Sequence, residues 1–217
     1  MKQNKNEGDF IYFRDLITDG GIILDIGANI GVMLVHLART HPYSRIIAFE
    51  PMPYNIRALL RVIGYYKLNN VELITTALGN SIGEVDMVMP VKKSARLQGL
   101  SHVIHDSITE WNEGEKFTAP LTTLDTFIEV NKITSKITAI KLDVENFEYF
   151  VLEGARKTLA VHHPIVYCEL WENENRVKCF DLMKECNYKI MILRNKKLCK
   201  FEAGYHKTQN FFFVPVS

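Results

Sequence analysis

One short segment constrains this chain more than any other. Ile22 to Ile26 reads Ile-Ile-Leu-Asp-Ile, an apolar, β-branched run that ends at a glycine. Such a run suits a parallel strand buried on both faces. Gly27-Ala-Asn-Ile-Gly31 follows, and then Val32 to Thr40, where Val32, Leu34, Val35, Leu37 and Ala38 are spaced for a helix. A buried strand passing through a tight turn into a helix is the opening unit of a doubly wound α/β sheet. The glycines let a ligand approach the backbone where the first helical amides carry partial positive charge. The loop is not Gly-x-Gly-x-x-Gly, because Asn29 occupies the second glycine's place and Val32 follows Gly31. A smaller, zwitterionic ligand is therefore favoured over a dinucleotide pyrophosphate.

The alternation continues. Arg45 to Phe49 predicts a second strand stopping at Glu50-Pro51, and Pro53 is placed to start a helix running to about Tyr66. Val71 to Thr75 predicts a third strand, followed by Ala77-Leu78-Gly79, and Ile82 to Met89 has a strand pattern. Residues 90–120 then break the rhythm. They are polar, contain Gly99, Gly114, His102, His105 and Trp111, and are expected to form a long substrate-facing loop or a locally disordered stretch. A strand at Thr138 to Leu142 ends at Asp143. After it come a helix over 147–159, a strand over 165–170 and a helix over 175–186. Two last strands are expected near 189–193 and 210–214. No helix separates these two, so the expected fold is a doubly wound Rossmann-like α/β fold, its sheet mostly parallel with an antiparallel last strand. The 217 residues suit one domain over 1–217, with 1–20 as an N-terminal extension. In such sheets ligands bind beyond the carboxyl ends of the strands, which singles out Asp25, Glu50, Asp143 and Glu169.

Composition narrows the partners. A formal charge of +1 gives no general attraction to nucleic acid or anionic membrane. The basic run Arg194, Lys196, Lys197 and Lys200 reads as a solvated turn between strands. No Asn/Asp-Pro-Pro-Tyr stretch follows the fourth strand to hold a flipped base, which also argues against nucleic acid. Cys168, Cys179, Cys186 and Cys199 form no C-x-x-C pair and no zinc spacing, so free thiols and no metal are expected. No window approaches the ~18 apolar residues of a membrane helix, and no leader-like stretch opens the sequence. The expected location is the cytoplasm, and oligomeric state has no signature.

Glu50 ends the second strand about 20 residues after the glycine loop, where an acid can hold both hydroxyls of a ribose. With that in place, five motifs in order resemble the FkbM-type methyltransferases: Ile23-Leu-Asp-Ile-Gly-Ala-Asn-Ile-Gly31, Ala48-Phe-Glu-Pro51, Thr76-Ala-Leu-Gly79, Ile140-Lys-Leu-Asp-Val-Glu145 and Leu152-Glu-Gly-Ala155. The resemblance implies the seven-stranded methyltransferase fold, S-adenosylmethionine as cofactor and methylation of an oxygen on a small molecule or glycan. Carried over by position, Asp25, Gly27, Ala28, Asn29 and Gly31 surround the methionine half of the cofactor. Glu50 with Pro51 grips the ribose, Ala77 and Leu78 lie near the adenine, and Asp143 also faces the cofactor. One departure stands at Asn146, where glycine is usual; asparagine tolerates left-handed backbone angles, so the turn is expected to survive.

An acceptor hydroxyl is helped by a base that takes its proton. Asp143 is the best-placed candidate, although a carboxylate there can equally balance a cationic cofactor. Glu145 beside it is either a second site carboxylate or a cap for the following helix. His102 is a further candidate base, with a solvated loop imidazole as the alternative. His105, Glu169 and Trp171 are candidates for the acceptor pocket. Two other readings use the same fold: a nucleotide-dependent oxidoreductase, which the missing central glycine opposes, and a non-catalytic ligand-binding member.

Overall fold

The computed structural model describes residues 5–92, 95–96, 100–106, 108 and 112–216. In chain order these form α1 (Lys5–Leu16), β1 (Gly21–Ile26), α2 (Val32–Thr40), β2 (Ser44–Phe49), α3 (Pro53–Tyr66) and β3 (Val71–Ile74). Then come β4 (Ala77–Leu78), β5 (Gly83–Lys92), β6 (Ala95–Arg96), β7 (His102–Val103), β8 (Gly114–Thr122) and α4 (Leu124–Val130). The second half supplies β9 (Ile137–Leu142), α5 (Glu148–Glu153), α6 (Arg156–His162), β10 (Ile165–Glu169) and α7 (Glu174–Glu185). It closes with β11 (Tyr188–Arg194), β12 (Lys197–Lys200) and β13 (Asn210–Pro215).

The main sheet has the order β12-β11-β13-β10-β9-β1-β2-β3. β3, β2, β1, β9 and β10 pair in parallel, and β13 is antiparallel to both β10 and β11. The antiparallel last strand is thus as expected from the missing helix before it. The main sheet has one strand more than the sequence suggests. Asn195 and Lys196 both take positive φ, 49° and 61°, the geometry of a two-residue hairpin turn. That turn folds Lys197–Lys200 back as the edge strand β12, so of the basic run only Lys196 lies in the turn.

β1 shows why its run is apolar throughout. Ile22, Leu24 and Ile26 pack into a core on one face with Ile140 and Leu142, while Ile23 faces the opposite core with Ala139 and Tyr167. A strand alternates its side chains between two buried layers, so every position wants an apolar residue. Asp25 breaks that rule and is completely buried. Residues 5–16, expected as part of an extension, are the helix α1; Phe10 and Phe13 are buried, and Phe13 stacks on Tyr167 with ring centroids 5.3 Å apart.

Residues 90–120 are not one long loop. β5 and β8 pair antiparallel from Gly83↔Leu121 to Pro90↔Gly114, and β4 and β7 extend this second sheet. Over Gly114–Thr122 exposed and more buried positions alternate, so the strand lacked the continuous apolar run that signals burial. Gly99 and Trp111 lie outside the described residues. The expected helix over 147–159 is two short helices broken at Gly154, with α6 capped by Asp125, whose Oδ1 accepts from the Thr158 amide at 2.8 Å. All four cysteines are free thiols. Among the described residues, no helix is long and apolar enough to cross a membrane.

Candidate active site

The strand order reverses between β1 and β9, and the loops leaving these strands meet there. Gly27, Asn29 and Gly31 take φ of 78°, 51° and 91°, which curls the loop tightly before α2. The amides of Gly27 and Ala28 both donate to the Phe49 carbonyl at 3.0 Å. A Cβ on Gly27 would sit 1.8 Å from the Asp143 carbonyl oxygen. The glycine is therefore demanded first by the β9 backbone, not by a ligand. Gly31 packs against α3, where a Cβ would meet Leu59 Cδ1 at 2.5 Å.

Glu50 locks this loop to the end of β2. Its Oε2 accepts from the Asn29 amide at 2.8 Å, and its Oε1 accepts from the Met52 amide at 2.9 Å and Asn55 Nδ2 at 3.3 Å. Burial pushes the Glu50 carboxyl above its ordinary range, and the Met52 and Asn29 amides pull it back. Glu50 and Pro51 line a cleft together with Gly27 and Asn29. Ala77 and Leu78 form an apolar part of the wall, Asp143 and Glu145 an acidic one, and Met87 and Val103 from the second sheet close the top. About 610 Å³ of space lies within the cleft, open mouth included. Asp25, Ala28 and Gly31 lie beneath or beside it and are absent from its lining.

Sequence reasoning passed over Lys141. It stands in register with Asp25 across β1 and β9, buried. Its Nζ donates to the Gly27 carbonyl at 2.6 Å and lies 3.4 Å from Asp25 Oδ1 and 3.6 Å from Asp143 Oδ2. Among the described residues Asp25 has no other counter-charge, and apart from Lys141 neither of its oxygens meets a donor. Burial pushes Asp25 up and Lys141 pulls it back. For Lys141 burial acts downward, but Asp25 and Asp143 outweigh it, and the ammonium stays charged. The signal was present: a lysine inside a doubly buried strand, in phase with Asp143 two residues on.

Glu145 and Asn146 take φ of 52° and 75°, so asparagine does support the left-handed turn where glycine is usual. It also anchors that turn. Asn146 Oδ1 accepts from Asn173 Nδ2 at 2.7 Å, and its carbonyl accepts from Asn175 Nδ2 at 3.1 Å. The helix-capping role considered for Glu145 is not filled, since the N-cap of α5 at Phe147 has no side-chain hydrogen bond. Glu148 instead ties down the turn, its Oε1 accepting from the Val144 and Asn146 amides at 3.0 and 3.1 Å. Glu145 is left facing the cleft. Burial, then repulsion from Asp143, Glu148 and Glu169, pushes its carboxyl up to about 8. Burial pushes Glu148 up to about 8 as well, against the pull of the amides it accepts from. Folded-state values above the unfolded 4.5 mean the folded protein holds more protons, so stability is greatest below that value and declines as pH rises toward 8. Urea unfolding across that window is expected to show the decline, and Glu145→Gln to flatten it; a flat wild-type profile would contradict the assignment.

His102 is not a free base. It is buried, with Nδ1 2.8 Å from the Leu100 carbonyl oxygen and Nε2 3.1 Å from Asn112 Oδ1. Strand alternation turns Ser101 and Val103 into the cleft and His102 away from it. His105 packs against the Phe147 and Phe150 rings, with centroids 6.0 and 4.5 Å away, behind the cleft wall. Glu169 ends β10 half-buried, and burial followed by Asp143 raises its carboxyl. Trp171 lies just beyond it, partly exposed, its carbonyl accepting from Arg176 Nε at 3.0 Å. Among the described residues, no three His, Cys, Asp or Glu side chains are grouped to hold a metal ion.

The sequence pattern of the methyltransferase FkbM domain matches residues 25–190. The chain belongs to the FkbM methyltransferase family. The matched interval begins at Asp25 and takes in Glu50, Lys141 and the acidic turn. Among relatives, "Methyltransferase 1" of Beauveria bassiana is 23% identical over 150 residues, covering 63% of this chain and 59% of its own. "Methyltransferase sdnD" of Sordaria araneosa is 30% identical over 95 residues, 39% of this chain and 36% of its own. The methyltransferase FkbM of Methylobacillus flagellatus superposes with a TM-score of 0.59 at 18% identity, over 92% of this chain and 45% of that one. A putative methyltransferase of Streptococcus mutans, solved in complex with SAH, has a TM-score of 0.51 at 11% identity over 98% and 97% of the two chains. These structures share the Rossmann-like methyltransferase fold; the FkbM chain spans about half the length of the first relatives it matches.

Proposed function

We propose that this FkbM chain uses S-adenosylmethionine to methylate a hydroxyl on a small molecule or glycan. The observation that carries the reading is Glu50, a carboxylate fixed by three donors at the end of β2 and still facing the cleft. Oε1 already accepts from two donors, whereas Oε2 accepts from one and retains a site toward a ribose hydroxyl. The Ala77–Leu78 wall suits a purine, and the acidic turn suits a sulfonium. When bound, the cofactor supplies an electrophilic methyl group. The chain's own residues position and deprotonate. Asp143, half-exposed and held by Lys141, takes the proton of the acceptor hydroxyl. Glu145 faces the same space with a carboxyl raised toward neutrality, where a group exchanges protons most effectively.

Titration calorimetry with S-adenosylmethionine, S-adenosylhomocysteine and NAD tests this directly. Micromolar binding of the first two and none of NAD is expected. Glu50→Ala is expected to weaken S-adenosylmethionine by about 1.5–3 kcal/mol, the worth of hydrogen bonds to a charged group. Asp143→Asn is expected to depress turnover more than cofactor affinity. No binding of either sulfur compound, or wild-type affinity in folded Glu50→Ala, would overturn the reading.

A further inference from the structure

We infer that the acceptor carries an anionic group, phosphate or carboxylate, which docks in a basic cleft at the carboxyl ends of β10 and β11; the word acceptor rests on the methyltransferase reading. The cleft gathers Arg176, Arg194, Lys196, His206 and Lys207, with Asn210 at its base. It lies along the same end of the sheet as Asp143, because β10 is the parallel neighbour of β9 and β13 begins at that end.

Arg176 is its fixed element. On the first turn of α7, the guanidinium folds back to donate from Nε to the Trp171 carbonyl at 3.0 Å and from Nη2 to the Leu170 carbonyl at 2.8 Å. It also lies 5.3 Å over the Phe211 ring. It is buried, 9% exposed, and among the described residues no carboxylate forms an ion pair with it. Buried cations are usually paired; this one has only the through-space attraction of Glu172 against its burial, with no contacting carboxylate among the described residues. Arg194 comes from the end of β11, Lys196 from the turn to β12, and Lys207 from the segment before β13. None of the three has a carboxylate partner among the described residues. The Nδ1 of His206 accepts from the Glu202 amide at 3.0 Å, which leaves its Nε2 as an N–H donor. Facing these groups are Asp9, whose Oδ2 accepts from Asn210 Nδ2 at 3.3 Å, and the exposed Glu172. Four cations against two carboxylates in one cleft is a local concentration, since the whole chain carries only +1.

A second observation points to the same ligand. Asn210 Oδ1 is buried and has no hydrogen-bond donor among the described residues. An acceptor left empty beside a set of cations suits a ligand that brings a hydroxyl together with its anionic group. A hydroxylated phosphate ester or hydroxy acid has both.

The test is an NMR titration of the ¹⁵N-labelled chain with inorganic phosphate and, separately, with succinate, at ionic strength held constant with sodium chloride. Saturable shifts at the Arg176, Lys196, Lys207 and Asn210 amides are expected. Lys196→Ala/Lys207→Ala is expected to weaken the anion by roughly tenfold or more, the loss of about one charge-assisted hydrogen bond. Lys197→Ala/Lys200→Ala, on the neighbouring strand outside the cleft, is expected to leave it unchanged. Saturation by phosphate alone identifies a phosphate ester, and by succinate alone a carboxylate. Shifts that never saturate, or equal weakening by the two double variants, would overturn the inference. S-adenosylhomocysteine titrated into the same samples separates the two readings. Its binding without anion binding removes only this inference, and anion binding without it removes the methyltransferase reading.

Discussion

Gly27→Ala is expected to cost about 4 kcal/mol or more of folding stability, a large part of the ~5–15 kcal/mol of an ordinary domain. Two independent effects contribute. At φ 78° a side chain adds roughly 1–2 kcal/mol of conformational strain. Collision costs more: the new Cβ would stand 1.8 Å from the Asp143 carbonyl oxygen and 2.9 Å from its carbon. Those are backbone atoms at the end of a central strand, so no rotamer change relieves them. Relief requires the loops after β1 and β9 to separate, which breaks the 3.1 Å bond from the Asp143 amide to the Ile26 carbonyl and pulls Lys141 from Gly27. Gly204→Ala is the matched control, because its φ is 81° but nothing lies within 4 Å of its added Cβ. It should show the conformational strain alone. Urea unfolding of both variants decides the matter; equal midpoints would mean the clash is absorbed and the contact unimportant.

The second large effect is expected from Lys141→Met. It leaves Asp25, with no exposed surface, lacking its ion-pair partner, a change that costs about 3–5 kcal/mol in buried pairs. The loss carries a pH signature. Without Lys141 the carboxyl of Asp25, already raised by burial, rises further, so the variant recovers stability as pH falls and Asp25 is protonated. Adding Asp25→Asn is expected to restore most of the loss at neutral pH, since a neutral amide replaces the stranded charge. Chemical denaturation of the single and double variants as a cycle measures the coupling. A double variant no better than Lys141→Met would show that the lysine acts through Asp143 and Gly27 instead.

The sequence by itself determined the elements whose causes are local. Apolar Ile22–Ile26 running into Gly27 makes a buried strand and a turn whatever surrounds them, and Pro53 starts a helix because its ring already has the right φ. Glu50 was legible because it ends a strand at a set distance from that turn, and Asn146 because the turn's backbone angle depends on its own residue. The order of strand and helix segments then leaves few ways to build the sheet. The tertiary structure decided the rest, where the cause lies in residues far apart along the chain. Strand register sets Lys141 beside Asp25. Loop packing makes Gly27 a contact with Asp143, and Glu148, not Glu145, reaches the turn's amides. The β5–β8 pairing gives residues 114–122 a partner that their polar outward face did not announce, and carries His102 away from the cleft into bonds with Leu100 and Asn112. The same applies to the basic cleft: Arg194 and Lys196 look like a solvated turn until the sheet brings Arg176 and Lys207 alongside. Local conformational preference is written residue by residue, whereas charge compensation and contact are properties of neighbours that only the folded chain supplies.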